Sequence, residues 1–512
     1  MCPLPSSPSR DPKLTNILLF FILLLGAVLR LTRYPPVFVV DSARDLLMGL
    51  HIARDLELPL VGHWALGVSF PYPPYYYYFL GILSSISTDL FFIFSVFVFI
   101  QLLGIIALYQ IGALLYNRKA GLLAGLFYAV SAIMVISGSM IETVFLNIPI
   151  FLFSFWSFVV FYKSQRTSYA FLTILIILVS ASIHASSIPF LFLYTVVAVY
   201  RLGKENIGKI FLLIIFTFCL AVIFYLPVVR FYGLSEFLRL LFYKLRETSS
   251  NNVFLVFLLN WGKLLLLLFF SRLNSVIFFI SYVLLLLSLL LRADLKKIKG
   301  LFIPIGCIGY FLLLAAVAQK DIYLHYLIII TPFVFLGVSY LLIENLKSKT
   351  LLLKVVTVSV AVVTLFLFVK GLWESVPWVS GDYRTYAKLT DLIMSDVSKR
   401  KKEMGLKKDN FYQVFVVTPE DNYKNSFLVW YFLEKKYHQK HAKVANTERD
   451  FIPLGGKEVI YLICDFRSRP SFSVRCLEEY TTSNPDKKYE GLLEQIDQNY
   501  QTHVFTILDT LP

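Results

Sequence analysis

Charge is what this chain has least of. Asp, Glu, Lys and Arg make up 16% of its 512 residues, against roughly 25% in soluble domains. A chain this long with so few charges cannot keep most of itself in water, and lipid is the remaining solvent. Several motifs are also missing: there is no P-loop, no G-x-G-x-x-G after a strand, no H-E-x-x-H and no paired C-x-x-C. The first absence argues against an ATP-driven pump but leaves secondary transport open; the others remove dinucleotide-binding and zinc-type spacings. No internal repeat of the transporter kind is evident. Acids number 33 against 48 Lys and Arg, a formal net charge of +15. Aromatic-basic surfaces outside the apolar runs are lacking, so no nucleic-acid partner is expected.

What is present is apolar. Hydrophobic residues reach 57%, with 47 Phe and 31 Tyr, and the mean hydropathy is +0.70. Runs of 18 or more nearly uncharged residues recur, which predicts a polytopic membrane protein. The candidate spans are 14–34, 90–115, 120–138, 143–162, 169–184, 187–200, 209–229, 275–291, 301–318, 326–343 and 351–372. Nothing after the first run resembles a cleavage site, so it reads as a retained anchor. Segments 71–87 and 253–270 are apolar too. Read as interfacial or re-entrant, they leave about eleven spans and put five short basic connections, beginning with Asn117-Arg118-Lys119, on one side. Short basic loops lie on the cytoplasmic side. The N-terminus is then inside and the C-terminus outside a cytoplasmic membrane.

The stretch from Pro36 to Leu83 organises the rest. Asp41 follows the first run by a few residues, at a bilayer edge. Leu46, Leu50 and Ala53 share one helical face, while Arg44, Asp45, Arg54 and Asp55 occupy others. That suits a helix lying in the interface. Asp41 equally suits a simple helix cap. Pro71-Tyr72-Pro73-Pro74 then leads into Tyr75 to Tyr78, and tyrosine favours the headgroup layer.

The predicted orientation gathers other polar residues on the same outer face: Glu142, His184, the loop 230–252, and Gln319 to His325. Ionisable groups close to lipid are costly and suggest function, yet near span ends they can snorkel. His184, among Ser182, Ser186 and Ser187, reads as a hydrogen-bonded structural histidine rather than a ligand. The loop 230–252 carries Arg230, Arg239, Lys244 and Arg246 among regularly spaced Phe and Leu. A basic amphipathic helix at a membrane surface binds anionic headgroups, and arginine clamps phosphate bidentately. The same pattern also describes an ordinary surface helix.

After Trp373 apolar runs shorten and charges rise, so 374–512 is expected to be a soluble extracytoplasmic α/β domain following a 1–373 membrane domain. A helix is predicted over 382–403 and another near 424–436, with strands at 412–417, 459–464 and 504–508. An outside location would let Cys464 and Cys476 form a disulfide; two independent thiols are the alternative.

The arrangement resembles the GT-C-fold membrane glycosyltransferases, the superfamily of protein O-mannosyltransferases and lipid A aminoarabinose transferases. The matching pieces are Asp41-Ser42-Ala43-Arg44, Pro73-Pro74-Tyr75-Tyr76-Tyr77, Tyr116-Asn117-Arg118-Lys119-Ala120-Gly121, Glu142, and His325-Tyr326 leading into Pro332. They extend over roughly residues 14–345. The resemblance implies a mostly α, polytopic helical bundle that transfers a sugar from a polyprenyl-phosphate donor to an acceptor hydroxyl on a glycan, lipid or protein. It implies Asp41 as base with Glu142 as a second acid. Arg230, Arg239, Lys244, Arg246 and Lys320 are expected near the lipid phosphate, and Tyr75, His325 and Tyr326 at the substrate. No certain cofactor is implied, and a divalent metal is left open. A secondary transporter or lipid flippase, and a noncatalytic scaffold, are the alternatives.

Overall fold

A computed structural model describes residues 12–36, 40–62, 64–65, 70–203, 206–239, 253–269, 272–291, 299–317, 324–374 and 381–403, and the positions 414–417, 431, 435, 443–445, 459–465, 487–495 and 502–509. In chain order the first helices are α1 (Pro12–Leu31), α2 (Val40–Asp55), α3 (Tyr75–Ile86), α4 (Leu90–Leu115), α5 (Arg118–Val130) and α6 (Ala132–Ser137). Then come α7 (Thr143–Ser164), α8 (Thr167–Ile183), α9 (Ile188–Leu202), α10 (Ile207–Tyr232), α11 (Val253–Phe269) and α12 (Arg272–Leu291). The remainder are α13 (Phe302–Val317), α14 (Leu324–Leu327), α15 (Thr331–Leu346), α16 (Leu351–Glu374) and α17 (Gly381–Glu403). The protein is mostly helical. It divides into two compact units: Met1–Tyr34, Leu58–Tyr76 and Phe91–Pro377 form one, and Pro35–Glu57, Tyr77–Leu90 and Trp378–Pro512 the other.

The first unit is an apolar helical bundle. Among the described residues, seven helices are long and apolar enough to cross a membrane, and they coincide with seven of the expected spans. Three more expected spans are shorter apolar helices, Thr167–Ile183, Asn274–Leu287 and Lys299–Leu314. Its core is aromatic: Phe151 meets Phe190 at 4.6 Å, Phe155 meets Phe333 at 4.8 Å, and Phe158 stacks on Tyr194 at 4.6 Å. Such pairs add to the large apolar area each ring removes from water.

One expectation for this unit changes. The stretch 120–138 is not one span but two helices, α5 and α6, broken at Ser131, whose backbone is extended (φ −63°, ψ 128°). A break in apolar surroundings strands carbonyls. Here Arg30 takes them: its Nη1 donates to Gly26 O (3.0 Å) and Ala129 O (3.2 Å), and its Nη2 to Tyr128 O (3.3 Å) and Met134 O (3.1 Å). The side chain is fully buried. α11 falls on the stretch read as interfacial or re-entrant. It buries Leu264 and Leu268 completely in the main core and packs against α12 and α13, because its leucines recur at helical spacing.

The second unit joins α2, α3 and α17 to a sheet. Leu389, Ile393, Met394 and Val397 form the buried stripe of α17, as its helical periodicity predicts. After β1 (Trp64–Ala65) and β2 (Phe70–Pro71), a short antiparallel pair of the first unit, five strands of the second unit, β3 (Val414–Val417), β4 (Lys443–Ala445), β5 (Val459–Asp465), β6 (Lys487–Gln495) and β7 (Thr502–Asp509), form one sheet in the order β4-β3-β5-β7-β6. β3 runs parallel to β4 and β5, while β7 is antiparallel to β5 and β6. β3, β5 and β7 fall on stretches read as strands; β4 and β6 do not. Most of 424–436, and Cys476, lie outside the described residues.

Candidate active site

In the second unit, Asp41 is the second residue of α2. Its Oδ1 lies 2.8 Å from Nη1 of Arg44, one turn on, and its side chain keeps 41% of its surface exposed. Arg44 also donates from Nε (2.8 Å) and Nη2 (2.7 Å) to Oδ1 of Asp45. The sequence sets Asp45 on a face other than the apolar one. The structure instead buries it completely, where a carboxylate persists only with a partner. Tyr77, the third residue of α3, interacts with both Arg44 and Asp45. Burial pushes the Asp45 carboxyl up to about 6, against the pull of Arg44. Burial works to lower the Arg44 pKa, but Asp45, Tyr77 and Asp41 together hold it above its ordinary value. The Tyr77 phenol is raised by burial and by Asp45.

The first unit holds a separate polar cluster. Tyr72 stacks beside His184 with ring centroids 5.8 Å apart, and His184 lies 4.7 Å from Tyr326. Tyr72 and Tyr326 hydrogen-bond through their side chains. The backbone N–H of Ala185 donates to the Tyr72 hydroxyl at 3.0 Å. His184 ends α8, and its Nδ1 accepts from the Ser186 N–H at 3.3 Å. Behind it, buried Asn147 donates to Ser187 Oγ at 2.8 Å and accepts from Ser180 Oγ at 2.5 Å. Burial, then Tyr326, raises the Tyr72 phenol well above its ordinary value. His184 and Tyr72 were not among the expected site residues. The Ser-rich break 180–187 before Pro189 was the available sequence clue.

The other expected residues fall as follows. Glu142 is the N-cap of α7 with extended backbone (φ −144°, ψ 154°); its side chain makes no capping hydrogen bond. Tyr75 opens α3 and donates to Ile223 O at 3.3 Å, with its ring edge-on to Phe224, so it packs on α10. Arg230 is exposed in the last turn of α10. Arg239 is not a lone cation: its Nε and Nη2 grip Glu236 at 2.8 and 2.6 Å. Lys244, Arg246 and Lys320 lie outside the described residues, as does the side chain of His325. Among the described residues, no three His, Cys, Asp or Glu side chains gather to hold a metal ion.

No family model matches the sequence, and no curated protein does either. Solved structures do. The chain matches ArnT from Cupriavidus metallidurans bound to undecaprenyl phosphate over 97% of its own length and 98% of that chain, with 12% identity and a TM-score of 0.57. Against ArnT in the apo state the values are 96%, 98%, 11% and 0.57. The Archaeoglobus fulgidus oligosaccharyltransferase in its apo form covers 89% of this chain and 70% of its own, at 10% identity and a TM-score of 0.53. The chain thus has the GT-C fold of these membrane glycosyltransferases.

Proposed function

We propose that this protein transfers a sugar from a polyprenyl-phosphate-linked donor to an acceptor hydroxyl at the extracytoplasmic face of the cytoplasmic membrane. The carrying observation is the shared fold, which spans nearly the whole of both this chain and ArnT bound to undecaprenyl phosphate. In this reading 1–373 is the catalytic membrane domain with its N-terminus inside, and 374–512 is an outer α/β domain. Asp41 accepts the proton of the attacking hydroxyl. The Asp41–Arg44 contact supports that role, since it holds the carboxylate in one orientation while much of it stays open to water. A base must reach its proton within hydrogen-bond distance, and orientation comes before strength. A single base with no nucleophilic partner suits direct displacement, which inverts the anomeric carbon.

Charge builds on the departing lipid phosphate, and fixed cations nearby stabilise it. Arg230, Lys244, Arg246 and Lys320 are the candidates. Arg239 joins them only by exchanging Glu236 for phosphate. Glu142, Tyr75, His325 and Tyr326 remain proposed acceptor or sugar contacts, and a glycan, lipid or protein serves as acceptor.

The test is turnover of purified protein, followed as release of polyprenyl phosphate from a polyprenyl-phosphate sugar. Asp41→Asn should lower it by about 10²–10⁴-fold with an unchanged melting temperature, the usual worth of general-base help. Activity above about a tenth of wild type removes Asp41 from the base role. If wild type consumes no such donor, and deletion strains accumulate none, the glycosyltransferase reading is wrong.

A further inference from the structure

The contacts of Asp41 raise the question of what holds Arg44. A guanidinium is a planar fork with two usable edges. The edge formed by Nε and Nη2 is taken by Asp45 Oδ1, at 2.8 and 2.7 Å. That leaves Nη1 facing Asp41 at 2.8 Å. Asp45 has only 1% of its side chain exposed, against 25% for Arg44 and 41% for Asp41. The buried acid is therefore the fixed end of the chain of contacts, and the exposed acid is its free end.

Helix packing makes Asp45 a fixed end. Gly49 lies one turn after Asp45, and Gly81 one turn after Tyr77. A methyl on Gly49 would sit 2.8 Å from Leu80 Cβ, and one on Gly81 only 2.5 Å from Ile52 Cγ2. At such separations α2 and α3 run in backbone-to-side-chain contact, an approach that small residues permit. The close approach carries Tyr77 against Arg44 and Asp45 and seals the carboxylate from water.

We infer that Asp45 is a positioning residue, holding Asp41 in its working orientation through Arg44. The inference rests on the glycosyltransferase reading for its consequence in turnover, but the ion-pair relay itself is testable without it. Asp45 touches no reacting atom in this scheme. An amide at position 45 offers the same acceptor oxygen to Nε–H and Nη2–H, whereas alanine offers none.

Two measurements on full-length protein in detergent decide it. The first is labelling of the Asp41 carboxylate by a water-soluble carbodiimide and an amine, read by peptide mass spectrometry. Asp45→Ala should speed labelling at Asp41 at least about fivefold, because the freed Arg44 no longer pins it, and Asp45→Asn should restore the slow rate. The second is steady-state turnover. Asp45→Ala should lower kcat about 10–100-fold with KM within twofold, as expected when a reacting group is misplaced, and Asp45→Asn should recover kcat to within about fivefold of wild type. Should Asp45→Ala fail to fold, Arg44→Lys carries the same test, since one ammonium cannot span both acids in that geometry. Unchanged labelling at Asp41 overturns the inference, and so does an amide variant as impaired as alanine. If wild type has no turnover at all, the glycosyltransferase reading fails while the labelling still judges the relay.

Discussion

Replacing Arg30 by lysine tests how this bundle tolerates a broken helix. The guanidinium reaches four carbonyls, of which Tyr128 O and Ala129 O belong to the end of α5 that Ser131 interrupts. Gly26 O and Met134 O are less dependent, since Met134 O also receives the Gly138 N–H at 3.0 Å. Lysine keeps the charge but offers one compact donor in place of a fork, so it leaves about two carbonyls unpaired in apolar surroundings. Net hydrogen bonds to charged groups are worth about 1.5–3 kcal/mol in soluble proteins, and measured interhelical bonds in a bilayer average nearer 0.6. Taking about 1–2 kcal/mol for each lost bond gives roughly 2–4 kcal/mol. At about 2–4 °C of Tm per kcal/mol, the figure for 150–250 residues, a fall of about 4–16 °C is expected. Detergent-solubilised protein heated in steps, with the folded fraction read by size-exclusion chromatography, measures it. Gly138→Ala should act in the same direction, because its methyl would sit 2.5 Å from Arg30 Nε. A lysine variant melting within about 2 °C of wild type would refute the idea that the arginine fork supports the break.

Three further outcomes follow from the structure. The Asp45 carboxyl, raised from 3.8 to about 6 by burial, binds its proton more tightly folded than unfolded. Its contribution is full below pH about 4 and fades as pH rises to about 6, on the order of 3 kcal/mol in all, and Asp45→Asn should flatten that part of a melting-versus-pH curve. Asn147→Ala removes the centre of the Ser180–Ser187 network and should cost about 1–3 kcal/mol by leaving buried hydroxyls short of partners, again read as a lowered Tm. For the proposed orientation, single cysteines at Asn117 to Lys119 should resist a membrane-impermeant thiol reagent in intact cells while ones beside Glu142 react; the reverse pattern would invert it.

Composition alone determined that this is a membrane protein, because a chain with so few charges and so many Phe and Leu has no other solvent. Seven long apolar helices were legible for the same reason: each needs only its own residues to satisfy its backbone. The start of α2 and its Asp41–Arg44 spacing were legible too, since a three-residue step on a helix is a local fact. The rest depended on partners far away in sequence. Nothing local distinguishes Asp45 from the exposed Asp55; its burial depends on Gly81 letting α3 close over it. Nothing local breaks 120–138 at Ser131. That break is tolerated because Arg30 reaches Tyr128 and Ala129 across 98 and 99 positions. Likewise Tyr72 meets Ala185 across 113 positions, and His184 gains its ring partners only once the segment carrying Tyr72 and the helix carrying Tyr326 pack beside it. Helical periodicity specifies which face of a segment is apolar, whereas the neighbour that covers that face is chosen by packing, and the polar contacts of this site follow that choice.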